Sequence, residues 1–157
     1  TQQMETSGTG NPHFWVFVAA QIRANDKGLL SKDITVRELV SHLGDIHHIF
    51  PRDLLKKAGL SRSQYNQIAN YAYTQEEINI KIGNKAPSTY FADIQSQCNG
   101  GPVKYGAILD MDTLRANLAA NCIPEAIFAI DETGYSEFLK MRRQLMAAKI
   151  RGYYERL

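Results

Sequence analysis

At 157 residues and 44% hydrophobic content, the chain can bury one substantial core and is expected to fold as one domain rather than two. Its 18 basic and 16 acidic residues leave a formal charge of +2, so bulk charge neither demands nor excludes a polyanionic partner. Cys98 and Cys122 lie far apart without a Cys-x-x-Cys companion, which argues against a zinc cluster or a disulfide framework, and no apolar run is long enough to span a bilayer. A soluble, cytoplasmic protein is expected.

In chain order, the polar opening "TQQMETSGTGN" carries no initiator methionine and no apolar periodicity. Residues 1–11 read as a flexible lead-in, and the chain as a C-terminal piece of a longer protein, with 12–157 forming the domain. "NPHFWVFVAAQIRAND" offers Asn11 as a cap, Pro12 at the first helical position and Phe14, Val18 and Ile22 as a buried stripe. "DITVRELVSHLG" predicts a short helix with a glycine stop, and "PRDLLKKAG" another that starts at Pro51 and ends at Gly59. "IANYAYT" alternates and suits a short strand, after which Thr74 and Glu77 form a capping box that opens a helix through Asn79. Pro87 begins a helix to about Cys98, and "DMDTLRANLAANC" and "GYSEFLKMRRQLMAAKIRGYYERL" complete a mostly helical second half. The fold class is α+β, mainly α.

Between the second and third of these helices lies "GDIHHIFPRDLL", where two of the four histidines stand side by side. Cutting a phosphodiester needs a base to activate water, a divalent ion to stabilise developing charge and a group that orients the base. Histidine suits the first task at neutral pH, and an adjacent imidazole can hold the ion. In an extended segment neighbouring side chains point to opposite sides, so His47 and His48 can take different roles. Asn70 and Asn79 are candidates for the missing orienting group and second metal ligand. His13 and His42 are assigned no role.

"DIHHIFP" followed by "NQIANYAYTQEEINIKIGNKAPSTYF" resembles the His-Asn-Asn form of the HNH, or His-Me finger, nuclease motif. More closely, the chain from Asn11 onward resembles the C-terminal part of GmrSD-like bacterial restriction and phage-defence proteins. The resemblance implies a small ββα-metal finger over approximately residues 44–86, with supporting helices on both sides. It implies a metal-dependent DNA endonuclease in which His48 is the general base, Asn70 orients it, and His47 and Asn79 bind one divalent ion. A histidine at position 47, where aspartate is commoner, leaves Mg or Mn as the expected ion and accommodates Zn, Ni or Co as well. The resemblance further implies a ParB-like nucleotide-hydrolysing domain on the same polypeptide and DNA, modified or not, as partner. Two other readings stand beside it: a DNA-binding or scaffold domain that keeps the fold and cuts nothing, and a toxin-like nuclease acting on RNA.

Around this set, Asp45 reads first as a turn residue after Gly44 and second as a partner that holds a metal-binding side chain. Lys81 and Lys85 could meet phosphate, although solvated helix charges are the default. In the last helix Lys140, Arg142, Arg143, Lys149, Arg151 and Arg156 face only Glu155 in opposition. Arg142 and Arg143 are therefore candidate DNA contacts, set against a packed helix with cationic cover.

Overall fold

The computed structural model describes residues 8–42 and 44–157, so the expected lead-in lies, up to residue 7, outside the described residues. Helix α1, Pro12–Arg23, opens as its sequence requires, with the Asn11 side chain accepting the His13 N–H and Pro12 in the first turn. It buries Phe14, Phe17 and Val18. Helix α2, Val36–Ser41, is closed at its start by a reciprocal Thr35–Glu38 capping box.

Strand β1, Gly44–His48, follows at once. Gly44 is more than a helix stop: a Cβ there would stand 2.5 Å from Leu39 Cβ and 2.6 Å from Leu39 O, so the chain can leave α2 this tightly only without a side chain. Helices α3, Arg52–Lys57, and α4, Arg62–Tyr65, then lead through a 3-10 turn at Ile68–Asn70 into strand β2, Tyr71–Gln75. β1 and β2 pair antiparallel, with His47 opposite Ala72 and His48 opposite Tyr71.

Helix α5, Glu76–Ile82, starts at the very next residue and stops at Gly83, whose φ of 55° suits only glycine well. Its start differs from expectation. Thr74 is buried in β2 and donates to Leu29 O at 2.8 Å, so it cannot cap a helix, and Gln75 takes the N-cap position. β2 does not alternate either: residues 71 to 74 are all buried, because helices cover both faces of the ribbon.

Helices α6, Pro87–Cys98, α7, Met111–Ala120, and α8, Tyr135–Tyr154, complete the chain. The fold is thus mainly helical around one small two-stranded sheet. Phe50 joins the two parts, its ring 5.0 Å from Phe138 of α8 and 5.2 Å from Tyr135. Among the described residues no helix is long and apolar enough to cross a membrane, and both cysteines are free thiols.

Candidate functional site

β1 alternates its side chains, so Asp45 and His47 share one face and His48 takes the other. Helix α5 buries Ile78 and Ile82 in the core, which leaves the residue after Ile78 facing β1. That residue is Asn79. Its Oδ1 lies 2.7 Å from His47 Nδ1, and its Nδ2 donates to Asp45 Oδ2 at 3.1 Å. Asp45 is therefore a strand residue that holds the Asn79 amide in place, and the turn expected there does not exist.

His47 is 3% exposed, and burial pushes its pKa down to about 4 against the opposing pull of the Asn79 bond. At neutral pH its ring is uncharged, the form that binds metals. Among the described residues its second nitrogen, Nε2, is buried with no hydrogen-bond partner, a cost on the order of 1–3 kcal/mol. Tyr90 steadies the ring edge-on, at 6.0 Å between ring centres, while its hydroxyl donates to Ile49 O at 2.6 Å.

His48 is half-buried on the other face. Tyr71 stands nearly perpendicular to it, with ring centres 5.0 Å apart, and His48 Nε2 lies 3.0 Å from Asn66 Oδ1. Burial lowers its pKa, the Asn66 bond opposes that, and the Arg52 charge adds to the lowering. Both histidines and Asn79 line one polar cavity of about 300 Å³, together with Arg52, Asp53 and Asn84.

Asn70 is fully buried but does not touch His48. Its Oδ1 accepts the Phe50 N–H at 2.8 Å, and its Nδ2 donates to Phe50 O at 3.0 Å and Tyr65 O at 3.3 Å. The side chain thus holds the turn after β1 rather than the base. The residue that reaches His48 is Asn66, which the motif spacing passes over.

The donor set fits an ion through one atom. The 2.7 Å contact between His47 Nδ1 and Asn79 Oδ1 is a hydrogen bond, which puts the ring hydrogen on Nδ1 and leaves the lone pair that a metal needs on the buried Nε2. Asp45 places a carboxylate beside them. Among the described residues no three His, Cys, Asp or Glu side chains converge. The set is a sparse one, of the kind that leaves positions on an ion to water and phosphate.

The expected phosphate contacts fare differently. Arg142 is fully buried: Nη1 donates to Ala69 O at 2.8 Å and Tyr71 O at 2.7 Å, and Nη2 to Asn121 O at 3.2 Å. Burial lowers its pKa to about 10, still charged at neutral pH, and a DNA strand cannot reach it. Arg143 donates to Gln67 Oε1 at 2.9 Å. Lys149 is paired with Asp26 at 2.5 Å, which removes another charge from the expected basic face. Lys85 is tied to Lys81 O and the Tyr105 hydroxyl, at 2.9 and 3.0 Å, whereas the Lys81 side chain is exposed. Neither lysine lines the cavity. The cation that does is Arg52.

No family model matches the chain, and no solved structure matches it at a significant level. An uncharacterised protein of Methanocaldococcus jannaschii is 28% identical to it over 117 residues, 66% of this chain and 20% of that protein. The chain is thus similar to about a fifth of a longer archaeal protein.

Proposed function

We propose that the chain is a metal-dependent endonuclease module of the HNH, or His-Me finger, kind, cutting DNA in a restriction or phage-defence setting. On this reading β1, β2 and α5 are the ββα finger. The observation that carries it is the 2.7 Å contact between His47 and Asn79 across β1 and α5, with His48 one residue away on the same cavity. Two residues 32 positions apart meet there, and their hydrogen bond leaves His47 Nε2 as the lone pair open to an ion.

His47 and Asn79 would hold the ion, and Asp45 would keep the Asn79 amide turned towards it. When bound, a divalent ion supplies Lewis acidity at the phosphodiester. His48 takes the proton from the attacking water, a task suited to a ring that is neutral at pH 7. Asn70 fixes the turn through Phe50, and so the end of β1 on which His48 sits. Arg52, exposed at the cavity, meets the substrate's phosphates. Mg or Mn is the ion proposed, with Zn, Ni and Co tolerated by the imidazole. A ParB-like domain on the same polypeptide would deliver the DNA.

The test is plasmid cleavage by the chain and by His48→Ala, each with Mg, with Mn and with chelator, on modified and unmodified DNA. Cleavage that needs both the ion and His48 is expected. Cleavage by His48→Ala equal to that of the wild type overturns the reading, and cleavage of RNA alone moves the substrate.

A further inference from the structure

Asn66 lies just past α4, four residues before Asn70, at the C-cap of that helix. Its Oδ1 faces His48 Nε2 at 3.0 Å. An amide oxygen has lone pairs and no hydrogen, so this contact is a hydrogen bond only if Nε2 carries the ring hydrogen. A neutral imidazole has one such hydrogen, and Nδ1 is then left with the lone pair.

The plane of the ring is set as well. Tyr71 stands against it with ring centres 5.0 Å apart and an interplanar angle of 83°, so rotation about the bond to the ring would disturb both this T-shaped contact and the Asn66 bond. Asn70 cannot share this work, because its amide already bonds Phe50 and Tyr65. Among the described residues the side-chain hydrogen bond of Asn66 is the one to His48.

We infer that Asn66 is the positioning residue for His48: it fixes the tautomer and ring plane so that Nδ1 is the atom left to accept a proton in the cavity. This rests on the nuclease reading for its catalytic consequence, while the tautomer itself stands apart from any activity. The role falls outside the two asparagines of the motif and divides two tasks between neighbours. Asn70 shapes the turn; Asn66 aims the ring.

The experiment is nitrogen NMR of the chain with ¹⁵N-labelled histidine, free of metal and at mildly alkaline pH, with His48 assigned by a His48→Gln variant. In the wild type Nε2 should be protonated and Nδ1 not. In Asn66→Ala both ring nitrogens should move towards averaged values and the ring should lose its fixed contact with Tyr71. Asn66→Asp, whose carboxylate can only accept, should restore the wild-type pattern. In cleavage assays Asn66→Ala should lower kcat by about tenfold or more with KM little changed, the scale expected when a partner that orients a functional histidine is lost. A wild-type His48 protonated on Nδ1, which would mean the Asn66 amide is turned to donate, overturns the inference. So does an Asn66→Ala chain that keeps both wild-type nitrogen shifts and the Tyr71 contact. If the wild type cuts no substrate, the nuclease reading fails while the ring nitrogens still decide the role of Asn66.

Discussion

Asn70 grips both the N–H and the C=O of Phe50, at 2.8 and 3.0 Å, so one side chain closes the turn after β1 from 20 residues further along the chain. This two-point hold copies the way one strand residue bonds another. An amide suits it because it offers a donor and an acceptor side by side at any pH the fold survives.

Asn70→Ala should therefore behave as a stability variant. It strands the buried N–H and C=O of Phe50, while Tyr65 O keeps the Tyr135 hydroxyl, and the loss should be on the order of 2–4 kcal/mol in urea unfolding. Asn66→Ala, at a half-buried surface position, should cost far less in the same titration. Equal losses for the two would contradict the division of roles.

His47→Ala and His48→Ala should fail in different ways. His47→Ala should weaken metal binding, read by calorimetry with Mn, and excess ion should recover part of the activity. His48→Ala should leave metal binding in place and lower cleavage by roughly 10²- to 10⁴-fold. Because the His48 pKa is lowered, wild-type activity should hold through the usual imidazole range and decline only at more acid pH, as the ring gains its proton. A decline beginning above that range would point to another base.

The buried His47 ring should make stability pH-dependent. Its pKa is near 6.5 unfolded and about 4 folded, so the unfolded chain binds the proton more readily. The contribution is full above about pH 6.5 and is lost as pH falls towards 4, amounting in all to about 3 kcal/mol without metal. Stabilities from urea titrations in chelator at about pH 7.5 and about pH 5 should differ by about 2 kcal/mol, the rest being lost only below about pH 5, and His47→Gln should flatten the difference. A wild type with no such slope would show that the ring is not buried neutral.

Arg142→Ala should unfold the protein more readily, by about 3 kcal/mol or more, since it leaves three buried carbonyls without their donor. A stable, folded Arg142→Ala that merely bound DNA less well would contradict the buried placement. Arg52→Ala should instead leave stability within about 0.5 kcal/mol and reduce the slope of log affinity against log salt by about one unit. Fluorescence anisotropy with a short oligodeoxynucleotide reads that slope.

Much of the helical frame could be read locally, because its signals are local: Asn11 and Pro12 at the start of α1, Pro87 at the start of α6, and Gly83 at the end of α5 act on their own few residues. The meeting of His47 and Asn79 was also legible, through the spacing of a resemblance. What escaped depends on distant partners. Thr74 and Glu77 have the spacing of a capping box, but Leu29 claims the Thr74 hydroxyl from 45 residues away. The charge of Arg142 leaves a phosphate contact and a packed helix both open, whereas Phe138 and Met146, four residues to either side, place it on the buried stripe of α8. That spacing was the available signal. Asn66 carried none, since α4 has only four residues and no period to read.

The guanidinium of Arg142 also does what a third strand would do. β2 offers one edge to β1, and on its open side Arg142 takes the carbonyls of Ala69 and Tyr71 while Leu29 N–H takes that of Tyr73 at 2.8 Å. An exposed strand edge is an invitation to pair with another chain, and here the acceptors that would receive such a guest are already occupied. The open side of β2 therefore has no free acceptor at Tyr71 or Tyr73. That edge is covered by a side chain from the far end of the sequence together with Leu29, and loss of the arginine should show first as aggregation.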